Sequence, residues 1–314
     1  MTQFRIIAGK GQKALSNQFY FRRKKKHEGF REFVQKYLAV TPHYQSYQAL
    51  EDGYPDCDFY ITGSDQVWNN YYTMDRFDKG YFLGFVSEGS KKIAYGASIG
   101  GARDDTYIKE IISLTKDFKA VSVREKSLEE QMNRLGAARA VTVLDPTLLL
   151  TKEQWLRFIK PSKIKEPYIL MYGLEYSPEL DRAAAYLRDK YHYNIVDIFP
   201  GVTKLKHIKY GDRYCSPEEF LRYIQNAAYV VTNSFHGTVF SIIFEKQFLT
   251  IPRARQESRM ADLLDSLKLS QNLWDRNKNT YSFDKDKQDY KAVKNRIKEF
   301  QRSSFQFLEG ALNA

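Results

Sequence analysis

Seven consecutive residues, Thr232-Asn233-Ser234-Phe235-His236-Gly237-Thr238, set hydroxyls, an amide and an imidazole between two apolar runs. The run before them, Ala227 to Val231, is short and partly β-branched, and it reads as a buried parallel strand. Val239-Phe240-Ser241-Ile242-Ile243-Phe244 follows and reads as a helix entering the core. The polar stretch is then a strand-to-helix turn, with Ser234 or Asn233 placed to cap the helix. Helix N-termini at the carboxyl ends of parallel strands present backbone N–H groups to anions. Ser234 and Gly237 are therefore candidate anion contacts. His236 alone in this turn can exchange a proton near neutral pH, which makes it the candidate acid–base group. A structural histidine tied to a backbone carbonyl is the alternative.

A second polar turn, Gly63-Ser64-Asp65-Gln66-Val67-Trp68-Asn69, follows the strand-like Asp58-Phe59-Tyr60-Ile61-Thr62. Its glycine lets the backbone approach a ligand, and four polar side chains and one indole converge there. An Asx-turn packed under the tryptophan is the other reading. Cations stand at further strand ends. Arg124 adjoins Glu125 after Ala120-Val121-Ser122-Val123, either as part of an internal ion pair or as an anion contact, and Arg253, Arg255 and Arg259 follow Gln247 to Ile251. Arginine at such places grips phosphate or carboxylate bidentately.

The elements that must position these groups alternate. Strands are expected at Lys92–Ala97, Ala120–Val123, Val141–Leu144, Tyr168–Tyr172, Tyr193–Ile198 and Gln247–Ile251. Helices of about ten residues fall between them, which implies βαβ units and parallel sheets. A first helix is expected from Asn17 to Leu38, with Phe30, Phe33, Val34, Tyr37 and Leu38 on its core face, and residues 43–56 are read as a loop. The polar, proline-bracketed segment Pro161 to Pro167 divides the chain, giving a first domain over 1–160, a second over 161–285, and a closing helical part over 286–314.

The net charge of +11 admits nucleic acid, an anionic membrane surface or a phosphorylated substrate as partner. No nucleic-acid motif accompanies the densest basic run, Arg22-Arg23-Lys24-Lys25-Lys26, which reads chiefly as a solvated helix face and secondarily as a contact for anionic lipid. Two cysteines, Cys57 and Cys215, make no disulfide framework, and the five histidines show no metal-ligand spacing with them. A cytoplasmic protein without a structural metal, its inner-membrane-face contacts peripheral, is the simplest expectation.

Six blocks then fall in one order. They are Gly63-Ser-Asp-Gln-Val-Trp-Asn69, Ala94-Tyr-Gly-Ala-Ser98, Val121-Ser-Val-Arg-Glu125, Leu144-Asp-Pro-Thr-Leu-Leu149, Thr232-Asn-Ser-Phe-His-Gly237 and Ser258-Arg-Met-Ala-Asp-Leu-Leu264, with Leu273-Trp-Asp-Arg276 closing the series. Together they resemble the polysaccharide pyruvyl transferase family. The resemblance implies a glycosyltransferase-B-like α/β architecture, two Rossmann-like domains with parallel sheets facing a cleft. It implies transfer of pyruvate from phosphoenolpyruvate onto two hydroxyls of a cell-surface saccharide or its lipid-linked precursor, as a cyclic ketal. Phosphoenolpyruvate is then a co-substrate, and no cofactor or metal is expected. The implied catalytic pair is His236 and Asp65. Ser234, Gly237, Arg259, Arg253 and Arg124 are placed on the donor, and Gln66, Trp68 and Asn69 on the acceptor. Arg255 is as readily an exposed loop cation.

Family members open with a strand and an Asn-x-Gly loop, where this chain has Phe4 to Gly9 and then Gly9-Lys10-Gly11. The first domain is accordingly expected to be shortened at its N-terminus. Two other functions share the architecture: a nucleotide-sugar glycosyltransferase, and a catalytically inactive homologue acting as a binding protein.

Overall fold

In the computed structural model of this 314-residue chain the described residues are 27–137, 139–198, 203, 205, 208, 210–212, 214–253, 257–275 and 288–313. The segment 4–11, the basic run 22–26 and Arg255 lie outside them.

Among the described residues two helices precede the first sheet. α1 covers 27–37 and α2 is Tyr47–Gly53. The second falls where a loop is expected from sequence. Ser46 caps it by accepting from Ala49 N, and none of its residues is buried, so it carries no apolar stripe to announce itself.

The first sheet places β1 (Tyr60–Gly63), β2 (Lys92–Ala97), β3 (Ala120–Val123) and β4 (Val141–Thr142) side by side in chain order, all parallel. α3 (Asp105–Thr115) and α4 (Lys126–Arg134) make two of the crossovers. β2 is buried along its whole length between its two neighbours, which is why Ile93 to Ala97 carry no charge, while the buried Lys92 at its start reaches Asp117 at 3.9 Å. β4 is shorter than the expected Val141–Leu144, because Val143 and Leu144 leave the ladder. Val143 still reaches Val123 O, while Leu144 N donates instead to Ser304 Oγ at 3.0 Å.

After α5 (Lys152–Leu156), which opens in a capping box of Thr151 and Gln154, comes the second sheet. Its strands are β5 (Tyr168–Tyr172), β6 (Asn194–Asp197), β7 (Tyr210–Gly211), β8 (Tyr229–Thr232) and β9 (Gln247–Thr250), parallel, in the order β7-β6-β5-β8-β9. Its helices are α6 (Pro178–Tyr191), α7 (Pro217–Asn226), α8 (Phe235–Ile243) and α9 (Glu257–Ser266). The chain winds outward from β5 to β7, then returns to the other side of β5 to form β8. That reversal leaves a crevice beyond the carboxyl ends of β5 and β8, the place where open parallel sheets bind ligands. β8 is flanked on both edges, Val230 facing Leu170 and Phe248 and Val231 facing Met171 and Leu249, and both valines are fully buried. α8 is buried on nearly every side, and its apolar sequence follows from that.

The last helix, α10 (Tyr290–Asn313), joins the two halves. Val293 and Ile297 pack into the core of the second sheet, and Tyr290 bonds to Lys246 O. Further on, Gln301 Nε2 donates to Leu148 O at 2.7 Å, Ser304 serves Leu144, and Phe307 approaches Tyr95 of β2 with ring centres 6.3 Å apart. α1 behaves in the opposite sense to its place in the chain. Its Phe33 and Tyr37 pack against Phe158, and Tyr37 Oη donates to Glu218 of α7 at 2.9 Å. Lys36 and Lys160 complete that carboxylate's partners. Phe30 and Leu38, expected on the core face of this helix, are exposed, so the buried stripe is narrower than the periodicity suggests. No helix among the described residues is long and apolar enough to cross a membrane.

Candidate active site

The two polar turns meet. A cleft of ≈ 450 Å³ is lined from the first sheet by Asp65, Gln66, Asn69, Tyr72 and Tyr81 among others, and from the second by Ser234, Phe235, His236, Arg253 and Arg259. The turn after β1 needs Gly63, which has φ +136° and lies so close to β2 that a Cβ would run into the carbonyl oxygen of Tyr95. Ser98, at the end of β2, fastens the rest of this turn. Its N–H donates to Asp65 O at 3.1 Å, its carbonyl accepts from Trp68 N at 3.3 Å, and its hydroxyl donates to Glu125 Oε1.

On the other wall, Ser234 caps α8, its Oγ accepting from Gly237 N at 3.3 Å. Asn233 ties the same turn to the end of β5, accepting from Leu174 N at 2.8 Å and donating to Glu175 O at 3.0 Å. His236 therefore sits in the first turn of a helix whose entry is held from two directions, and its side chain is 37% exposed to the cleft.

The charges form a compact network. Arg124 is almost fully buried, pairs through Nη1 with Asp145 Oδ2, and reaches Asp65 Oδ1 through Nη2 at 2.8 Å. Arg259, also buried, approaches the same Asp65 oxygen at 3.5 Å. The Phe235 ring has both guanidinium groups close by, at 4.8 Å from Arg124 and 4.5 Å from Arg259. His236 Nε2 stands 3.7 Å from Asp145 Oδ2. Phe235 and Arg259 also border a second cavity of ≈ 360 Å³, onto which Arg124 and Asp145 open.

Titration behaviour follows from these neighbours. Burial pushes Asp145 up, but the imidazole of His236 facing it and the charge of Arg124 outweigh that, and its pKa is held well below the usual carboxylate range. Desolvation likewise opposes ionisation of Asp65, yet Arg124, His236 and Arg259 together lower its pKa. Glu125 goes the other way: complete burial raises it, despite Arg124 and the Ser98 hydroxyl. Burial and then repulsion from Arg124 bring Arg259 down to about 10, so it stays a cation at neutral pH. A cation held down by another cation is a place where an incoming anion relieves repulsion.

The cleft gathers His236, Asp65, Ser234, Arg259, Arg253, Gln66 and Asn69. It does not gather three residues expected there from sequence. Trp68 is fully buried and stacked on Phe82 at 5.5 Å, so its indole serves the first core and not a ligand. Gly237 is buried in α8 with Thr232 and Tyr172 pressed against it and its N–H taken by the cap, so it is a packing glycine. Arg124 lies under the cleft and acts on it through Asp65 and Asp145. Sequence reasoning passed over Asp145, Phe235 and Ser98. A carboxylate directly at a strand end, before the Pro146 turn, was the available signal for Asp145. Nothing local marks Phe235, whose role depends on arginines from both halves.

Two parallel sheets of Rossmann-like plan, with their polar strand ends turned to a shared cleft, define an α/β protein of the glycosyltransferase-B type. The family model of polysaccharide pyruvyl transferases matches residues 8–255, and the chain belongs to that family. The membership makes it a member of a transferase family whose acceptors are saccharides. Among solved structures it is similar to one from Klebsiella pneumoniae subsp. pneumoniae NTUH-K2044, described as a functional uncharacterized protein, at 12% identity with a TM-score of 0.38, covering 76% of this chain and 81% of that one. A search of curated proteins gives no match.

Proposed function

We propose that this chain transfers the pyruvyl group of phosphoenolpyruvate onto two hydroxyls of a saccharide, forming a cyclic ketal and releasing phosphate. The observation that carries this reading is the cationic wall of the cleft. Arg259 and Arg253 line the cleft together with His236 and the Ser234 cap of α8, a setting suited to a donor that carries two anionic groups.

In this reading the donor phosphate and carboxylate lie against the start of α8 and Arg259. His236, as imidazolium backed by the Asp145 carboxylate, gives its proton to the methylene carbon of the enol. Positive charge develops at the adjacent carbon, and the first sugar hydroxyl adds there, its proton returning the histidine to the imidazolium form. The carbon–oxygen bond to phosphate then breaks. The second hydroxyl closes the ring, and its proton leaves with the phosphate. Asp65, paired with two arginines and lowered in pKa, is a weak base, and its part is to accept hydrogen bonds from acceptor hydroxyls and orient them. Gln66 and Asn69 stand beside it as amide partners. The acceptor includes lipid-linked saccharides presented at a membrane face.

The test is the release of phosphate from phosphoenolpyruvate, with and without a panel of aryl glycosides. Acceptor-dependent phosphate release supports the reading. Nucleotide release from a nucleotide sugar in its place assigns the cleft to glycosyl transfer, and inertness towards both donors assigns it to binding.

A further inference from the structure

The cleft has two chemically unlike walls. The imidazole of His236 and the cations Arg253 and Arg259 all come from the second half of the chain, whereas the first sheet's side contributes neutral amides, the Thr73 hydroxyl and two phenol rings beside the single carboxylate Asp65. The rings are the unexplained part. Tyr72 is 61% exposed and Tyr81 47% exposed, although both are large enough to fill a core.

Neither ring hangs from a loose loop. Tyr72 belongs to the 3₁₀ turn Asn70–Thr73, which Asn69 caps by accepting from Tyr71 N at 3.2 Å and Thr73 closes by donating to Asn70 O at 3.2 Å. Tyr81 belongs to the 3₁₀ turn Lys79–Phe82, where Asp78 accepts from Gly80 N at 2.8 Å and the Tyr81 carbonyl accepts from Thr62 Oγ1 at 2.8 Å. The next residue, Phe82, stacks on the buried Trp68 and anchors that turn in the first core. Tyr71 meets Tyr72 edge-on at 5.5 Å.

We infer that Tyr72 and Tyr81 form a stacking platform for a pyranose ring, which fixes the neutral part of the acceptor on the first-sheet wall. The inference rests on the saccharide acceptor of the reading above, and adds to it the residues that select the sugar. A pyranose has an apolar face of C–H groups and a polar rim. The negatively charged face of a phenol ring attracts the first, and the Gln66 and Asn69 amides lie within the same cleft for the second. Tyrosine loses little conformational freedom on binding, which suits a shallow, exposed contact. The amides are themselves held in place, Asn69 Nδ2 donating to Gln66 Oε1 at 2.6 Å and Arg103 donating to Asn69 Oδ1 at 2.8 Å.

The probes are p-nitrophenyl hexopyranosides of gluco, galacto and manno configuration, titrated into the full chain by saturation-transfer NMR, with phosphoenolpyruvate titrated separately by calorimetry. At least one hexoside is expected to bind. Tyr72→Ala and Tyr81→Ala should each weaken it about 2- to 12-fold, the range for one aromatic contact. Tyr72→Phe should keep the affinity, and phosphoenolpyruvate binding should be unchanged in all three. Hexoside affinity unaltered in both alanine variants overturns the platform, as does a wild-type chain that binds none of the hexosides. Affinity for uridine diphosphate, rather than for a hexoside, that falls in the alanine variants also overturns it. A chain that binds hexosides through these tyrosines yet consumes no phosphoenolpyruvate leaves the platform standing and removes the donor reading instead.

Discussion

Asp145 is the neighbour that decides what His236 can do. It holds Arg124 on one side and faces the imidazole at 3.7 Å on the other, and it is ionised over the whole working range. The consequence for stability has a definite sign. A carboxylate whose folded-state pKa lies below its unfolded value of about 3.9 stabilises fully above that value. The contribution is lost as pH falls through the lowered folded-state value. Asp145→Asn should therefore flatten the acid side of the stability curve, measured as urea midpoints from about pH 6 down to about pH 3. A curve that stays as steep as the wild type's would mean Asp145 is not the titrating group. Truncation to alanine, which takes the paired carboxylate from the buried Arg124 and leaves it Asp65 and Glu125, should cost about 3–5 kcal/mol. Arg259 is a question of ligand rather than of fold. Arg259→Ala should weaken phosphoenolpyruvate by about 1.5–3 kcal/mol in calorimetry, the scale of a hydrogen bond to a charged group, and unchanged affinity would place the anion elsewhere.

Among the elements, α8 is the one on which the site depends. Ser234→Ala removes its cap and should cost about 1 kcal/mol in chemical unfolding. Gly237→Ala should cost more, about 1–3 kcal/mol, because the new methyl group meets Thr232 and Tyr172 in a packed interior. A Gly237→Ala protein as stable as the wild type would show that the α8–β8 contact yields freely. Elements of this kind were legible in the sequence because burial on every side writes itself as an unbroken apolar run. β5 and β8 show it, and so does β2 from Ile93 onward. The polar turns at β1 and β8 were legible for the complementary reason, since a strand end that faces a ligand carries side chains the core would not accept. Elements without a buried face were not legible, and α2 and the two-residue β7 are the examples. Trp68 and Gly237 were misplaced because a residue in a polar turn can face inward as well as outward, and local spacing does not distinguish the two.

For the molecule as a whole, the partners that matter come from far apart in the chain. Arg124 and Asp145 belong to the first half, Phe235 and Arg259 to the second, and no sequence period links them. The same holds for α1, which packs on α7 across more than 180 positions of sequence. α10 closes the structure by touching both halves, and its buried Ser304 hydroxyl is the partner of Leu144 N. Ser304→Ala should cost about 1–3 kcal/mol, the penalty of an unsatisfied buried donor, as read from unfolding midpoints. The central claim concerns the cleft that these long-range contacts assemble. It is tested most directly by acceptor-dependent phosphate release from phosphoenolpyruvate, compared between the wild type and His236→Gln at saturating donor. The account predicts a turnover loss of about 10²- to 10⁴-fold in a folded variant that still binds the donor. Wild-type turnover at saturation would contradict it.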